Sequence, residues 1–226
     1  MFVEDSPDQP PRLLVDASSH RVQVGVLNAN GTWRAFQSAE GDALETIFAL
    51  SRQVLDESSL TLGDVQGFVH CQGPGSVLGL RLAAMAIEGW RAAASVAPLS
   101  LHGYYSLAMA AALHHARTRE QAFTVISFFR RGQYNTLRVD CGELGPLELS
   151  DLDELRLESE AAPLLHLPQR RVRHELPENT RELDYDLRDL PKALALYHDL
   201  VEPLERAGAY MPQEPEFARW SAERHR

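Results

Sequence analysis

The chain is poor in cysteine, with only Cys71 and Cys141 in 226 residues. They form no C-x-x-C and are too few for a disulfide framework, so two buried free thiols in a reducing compartment are expected. No run of 18 apolar residues occurs, which excludes a membrane-spanning helix. The opening Met1-Phe2-Val3-Glu4-Asp5-Ser6 is acidic and lacks the positive n-region and apolar core of a signal peptide. The reading is a cytoplasmic protein with no membrane contact. Basic residues are also scarce: 22 Lys+Arg stand against 32 Asp+Glu, a formal net charge of -10. Nucleic-acid affinity rests largely on Lys and Arg neutralising phosphates, so this balance argues against a broad phosphate-binding surface. The basic clusters Arg130-Arg131 and Gln169-Arg170-Arg171-Val172-Arg173-His174 read as a solvated hairpin and a solvated loop.

Several catalytic signatures are missing as well. No two of the nine histidines stand four apart, so no helix offers a metal-binding pair, and no metal site is expected. There is no G-x-x-x-x-G-K-[ST], which excludes a P-loop, and no G-x-G-x-x-G for a dinucleotide fold. Ser76 lacks the G-x-S-x-G setting of an activated nucleophile, which leaves helix capping as its role.

What is present is a well-patterned α/β chain of 226 residues with 44% hydrophobic content, enough to bury a real core. Residues 1–11 read as a disordered lead. Leu13 to Val15 is a strand. Val22, Val24 and Val26 alternate with polar or small residues, Asn30-Gly31 marks a hairpin, and Thr32 to Phe36 returns. Helical spacing predicts a helix over 41–57, then a strand over Val65 to Cys71 and a helix over 78–94 rich in small residues. A strand over 96–101 and a helix over 103–117 follow. From about 121, Phe123 to Phe129 and Tyr134 to Val139 bracket a hairpin at Arg130-Arg131-Gly132-Gln133. The stretch 150–190 carries no clear period, helical spacing resumes over 192–207, and 211–226 reads as an extended tail. A β-β-β opening before the first helix suits an actin-like, ribonuclease H-like fold better than a Rossmann fold. The domain reading is an N-terminal domain over 12–118 and a reduced second α/β domain over 119–210.

The densest signal is Gly73-Pro74-Gly75-Ser76-Val77-Leu78-Gly79-Leu80-Arg81, between the fourth strand and the second helix. Glycine permits positive φ and close backbone approach, and Pro74 fixes its own φ. A strand, a tight loop and a helix N-terminus together allow an anion, or another stretch of backbone, to come close. Local physics favours a structural strand-to-helix turn.

The same loop resembles the G-P-G-S-F-T-G-[LV]-R signature of the TsaB (YeaZ) family, with Val77 and Leu78 in place of Phe and Thr. Leu13-Leu14-Val15-Asp16-Ala17-Ser18-Ser19 resembles that family's opening strand and turn. Arg130-Arg131-Gly132-Gln133-Tyr134 resembles its R-R-G-E-V-Y hairpin, and Pro215-Glu216-Phe217-Ala218-Arg219 is a fainter echo of its ending. The chain departs from the pattern at Phe128-Phe129, where an Asp is usual, and at Gly41-Asp42, where a His-Ser pair is common. The resemblance implies an actin-like ATPase-superfamily fold and a non-catalytic partner of a TsaD-like subunit in N6-threonylcarbamoyladenosine modification of tRNA. It also implies a TsaE-like ATPase as a further partner, a homodimer in isolation, contact with tRNA only through the complex, and no cofactor of its own. Alternatives are a small-molecule kinase or ATPase of the same superfamily, and a stand-alone homodimer without the tRNA role.

Three sets of residues are candidates for function. Asp16, with Ser18, stands where catalytic members of the superfamily place an acidic residue near Mg²⁺-bound phosphate, a vestigial nucleotide site; the bland reading is an Asx turn. The second half has only Gly132, Gly142, Gly145 and Gly208, with no Gly-Gly pair for an adenosine cradle. Arg81 either ties the glycine loop or meets a partner's carboxylate through its forked guanidinium, with a surface ion pair as the bland reading. In the family the first two long helices resemble the pair that meets a partner in a four-helix contact. That assigns Leu44, Ile47, Phe48, Ala83, Ile87 and Trp90 to an interface, with Trp90 as its anchor; the bland reading packs them on the chain's own sheet.

Overall fold

A computed structural model describes residues 11–94, 99–169 and 175–212. The first sheet is laid down by β1 (Arg12–Asp16), β2 (Val22–Leu27) and β3 (Trp33–Ala39), an antiparallel meander. Its second turn uses Gly31 at φ 77, the left-handed conformation that a glycine adopts without strain. After α1 (Ala43–Glu57) the chain returns as β4 (Gly67–Gly73), parallel to β1 with Leu13 beside Phe68. Helix α2 (Val77–Ala93) leads to β5 (Ser100–Tyr105), parallel to β4. Helix α3 (Ser106–Thr118) then carries the chain to a second sheet, built from β6 (Phe123–Arg130), β7 (Gln133–Asp140) and β8 (Glu143–Asp151) as a second meander. After α4 (Leu152–Ala161), β9 (Leu164–His166) adds parallel to β6, and β10 (Arg181–Glu182) adds parallel to β9. Helix α5 (Leu190–Leu196) precedes β11 (Glu202–Pro203), which crosses back and pairs antiparallel with β5. The orders are β11-β5-β4-β1-β2-β3 and β10-β9-β6-β7-β8.

The pleat of β1 sorts the core. Leu13 and Val15 face one side, where Val24, Ile47, Phe68, Ala83 and Ile87 bury against α1 and α2. Leu14 faces the other side, with Val69, Cys71 and the residues of α3. Helix α3 has Leu107, Met109, Ala110, Ala111, Ala112 and Leu113 all fully buried. A helix apolar all round needs cover on every side, and here it packs on strands of both sheets and on α5. Its run of alanines lets it fit between them.

Some expected elements differ. The strand read at 96–101 is β5 at Ser100–Tyr105, and α3 starts later than 103, because pairing with β4 continues through Gly73↔Tyr105; residues 95–98 lie outside the described residues. The helix read over 192–207 stops at Leu196. Tyr197 leaves helical backbone at φ -127 and ψ 88, and further on Pro203 lacks an N–H and disfavours helical backbone at Glu202, so both of those residues join a sheet edge. In the stretch without a clear period, Asp151 caps α4 by accepting from Asp153 N and Glu154 N, and the Glu154 side chain answers the Asp151 N–H. Cys141, expected to be buried, is exposed in the β7–β8 turn, whereas Cys71 is buried. Residues 1–10 of the lead, residues 170–174 of the basic cluster that begins at Gln169, and the Pro215–Arg219 echo fall outside the described residues.

Candidate functional site: the glycine loop, the β1 turn and the outer helix face

The glycine loop serves close approach between two backbones. Gly73 has φ 100 and its peptide bond to Pro74 is cis. Beyond it, Ser76 N–H donates to Ser18 O at 2.7 Å, and the Ser106 hydroxyl donates to Pro74 O. A Cβ on Gly75 would overlap the Ser18 carbonyl oxygen, and one on Gly79 would overlap that of Ala17. The loop is therefore pressed against the turn after β1. Ser76 caps α2, its Oγ accepting from Gly79 N at 3.4 Å.

Asp16 ends β1 under this loop and is fully buried. One carboxylate oxygen accepts from Ser18 N and Ser18 Oγ, each at 2.7 Å, the Asx turn. The other accepts from Tyr104 Oη at 2.7 Å and Tyr185 Oη at 2.6 Å. A carboxylate offers about four acceptor positions, and four donors fill them. Burial, and then the charge of Asp16, push both phenols well above their usual range, and the Cys71 thiol is pushed up for the same two reasons. Both tyrosines thus keep their protons near neutral pH and act as donors. Nearby, His70 is held down by burial, with Nε2 2.9 Å from Gly208 O.

Tyr185 belongs to a segment sewn to the first sheet. Gln23 donates to Tyr185 O at 3.2 Å and accepts from Leu187 N at 2.9 Å, and Trp33 Nε1 donates to Leu187 O at 2.9 Å. Arg117 on α3 reaches Asp184 O, Asp186 O and Asp189. No local pattern marks this network, since Tyr104 and Tyr185 lie 88 and 169 residues from Asp16. The one general hint was that a buried tyrosine hydroxyl needs a partner.

The third set divides. Ile47, Ala83 and Ile87 are fully buried on the chain's own sheet, so they support the helices from beneath and are not themselves an interface. Trp90 is half-buried, stacked on Phe68 at 5.9 Å and edge-on to Phe48 at 5.6 Å. Leu44 and Phe48 are exposed, and so are three residues that sequence reasoning missed: Val77 at 50%, Leu78 at 68% and Met85 at 70%. On α2, Leu78, Arg81, Met85 and Gly89 follow one another at helical spacing on a single outer stripe. Arg81 is exposed and makes no hydrogen bond or ion pair among the described residues, so it does not tie the glycine loop. The signal was Val77-Leu78 itself, two apolar residues in the first turn of a helix whose other face already fills a core. Among the described residues, no group of three His, Cys, Asp or Glu side chains could hold a metal ion, and no helix is long and apolar enough to cross a membrane.

No protein-family model matches the sequence, and no curated protein matches it. Solved structures do. One is an uncharacterized protein with similarity to peptidase YEAZ, from Pseudomonas aeruginosa, at 17% identity and a TM-score of 0.63, covering 91% of this chain and 100% of that one. Another is YeaZ from Pseudomonas aeruginosa, at 16% identity and a TM-score of 0.63, covering 90% of this chain and 100% of that one. At such identity the likeness speaks to architecture. Together with the β-β-β-α-β-α-β order, it makes this an α/β chain with the YeaZ fold.

Proposed function

We propose that this protein is a non-catalytic partner, of the TsaB type, that supports a TsaD-like subunit in forming N6-threonylcarbamoyladenosine on tRNA. The observation that carries the reading is the outer face of α1 and α2. Leu44, Phe48, Val77, Leu78 and Met85 are all exposed there, on helices whose inner faces are already satisfied. Contiguous exposed apolar surface marks interaction sites. The Phe48–Trp90 contact joins the two helices into one surface, and Arg81 sets a cation among the apolar side chains, fit to meet a partner's carboxylate. In isolation the same face would pair with a second copy of the chain. A TsaE-like ATPase would join the assembly through its other members, and tRNA would be met by a basic partner, in keeping with the net charge of -10. The YeaZ fold supports the assignment to this type. The saturated Asp16 carboxylate speaks against a kinase or ATPase reading, which would need that group free for a metal-bound phosphate.

Depletion in the host, followed by mass spectrometry of bulk tRNA, tests the reading. A strong fall in threonylcarbamoyladenosine, rescued by the wild-type chain and not by Leu78→Asp/Met85→Asp, is the expected result. An unchanged level overturns it. Trp90→Asp is the wrong probe, because Trp90 also stacks on Phe68 and its loss would unsettle the core.

A further inference from the structure

A cleft of about 730 Å³ opens beside the end of β5, next to the glycine loop: Gln72 and Tyr105 line it, and Tyr105 is the register partner of Gly73. Four pieces of chain build it: Gln72 near the end of β4, Gly103 to Tyr105 with Ala108, the β7–β8 turn, and the connection from α5 to β11. Its volume is in the range of small-molecule sites. Its walls are held in place. Tyr197 Oη donates to Gly142 O at 2.7 Å and lies 2.9 Å from His115 Nδ1, so that ring is fixed from two sides. The turn beneath it has Cys141 at φ 50 and Gly142 at φ 76, the two left-handed residues of a tight hairpin, and the bare Gly142 leaves room for the His115 ring. On another side Tyr105 rests edge-on against Tyr210 at 5.4 Å. Ala108, Leu144 and Leu200 supply apolar lining.

The lining carries carboxylates and one histidine, His198, and Arg119 stands near enough to act on Tyr197. Glu143, Asp199 and Glu202 line it, and no lysine or arginine does. None of the three carboxylates forms an ion pair among the described residues, although Arg and Lys side chains elsewhere on this acidic chain are widely paired. Tyrosine rings attract cations through their faces, and carboxylates attract them through charge. A cleft lined by three tyrosines and three carboxylates without an ion pair among the described residues is complementary to a flat or apolar frame that carries a positive charge.

We propose that this cleft binds a small organic cation, an amidinium, guanidinium or ammonium group on a flat apolar frame. The proposal is independent of the partner-protein reading, since it uses no residue of the outer helix face. Benzamidine, benzamide and benzoate test it, because they match in size and differ in charge. The readout is the backbone amide signals of Gly103, Gly142 and Gly145 in the ¹⁵N-labelled full chain. Benzamidine should shift these three glycines with a Kd on the order of 1 mM, as suits so small a ligand. Benzamide should bind more weakly, and benzoate should leave them in place. Glu143→Gln/Asp199→Asn/Glu202→Gln, all at exposed positions, should leave the spectrum otherwise folded and weaken benzamidine by about fivefold or more. Three results overturn the proposal: no shift at these glycines at about ten times that concentration, benzoate binding as tightly as benzamidine, or a triple variant that binds benzamidine within about twofold of wild type.

Discussion

The turn after β1 and the outer stripe of α2 flank the same glycine loop, yet they treat their functional groups in opposite ways. At the turn, Asp16 is fully buried and every acceptor position of its carboxylate is taken, two of them by tyrosines from distant parts of the chain. On the stripe, Leu78 and Met85 are about two-thirds exposed and touch nothing that needs them. A buried carboxylate in a water-free setting must be paired or it becomes costly, so its four bonds are a condition of folding. An exposed leucine and methionine side by side contribute nothing to the monomer's fold and acquire a role only when covered. The contrast separates what the chain does for itself from what it presents to others.

The largest test breaks the closed region. Asp16→Ala would leave the Tyr104, Tyr185 and Ser18 hydroxyls buried without an acceptor, and urea denaturation should show a loss of about 3–5 kcal/mol. Tyr185→Phe removes a single donor and should cost about 1–2 kcal/mol. If Asp16→Ala costs less than about 1 kcal/mol, the carboxylate is not held as described and the nucleotide reading regains ground.

A second test moves to the seam between the regions. Gly75→Ala would drive a methyl group into the Ser18 carbonyl, where neither backbone can yield without losing the Ser76–Ser18 hydrogen bond. Overpacking of this kind should cost about 2–3 kcal/mol. A thermal midpoint equal to wild type would mean that the loop is loosely held and that its glycines serve something other than close approach.

The seam also shows how far the sequence could be read. The β-β-β opening, the hairpin at Gly31, the α1 and α2 helices and the Ser76 cap were all legible, because each rests on local spacing or turn chemistry. The Asp16 network was not, because it depends on side chains brought together only by the tertiary fold. Helical spacing over 192–207 misled, since apolar residues lining a cleft and a sheet edge can mimic a helical stripe, although Pro203 carried the warning. The exposed face of α1 and α2 was half legible. Spacing placed Ile47, Ala83 and Ile87 correctly on one face of their helices, but periodicity alone does not say which face meets the chain's own sheet.

A smaller effect is set by pH. Burial, the larger influence, lowers the His70 imidazole from its ordinary 6.5 in spite of the nearby Asp16 and Glu88 charges. A base whose folded value is depressed binds fewer protons folded than unfolded, so stability is complete above 6.5 and falls as pH drops below it. His102 is lowered too, by burial first and then by Arg12, and adds to the same slope. The thermal midpoint should therefore decline from pH 7 to pH 5, and His70→Gln should flatten that decline. An equally steep decline in the variant would place the proton uptake elsewhere.

The smallest effect sharpens the open region. Gly89 lies on the α2 stripe with Met85, and a Cβ built there meets nothing within 4 Å. Glycine inside a helix is less favourable than alanine by about 0.5–1 kcal/mol, so Gly89→Ala should raise the monomer's stability by that amount. If the stripe is a close helix-to-helix contact, the added methyl group stands in the partner's way and association should weaken although the monomer is firmer. Sedimentation equilibrium beside urea denaturation reads both quantities on one sample. Stability and association rising together would mean that contact is made by the side chains around Gly89 and not by its backbone, and would move the centre of the surface toward Leu78 and Phe48.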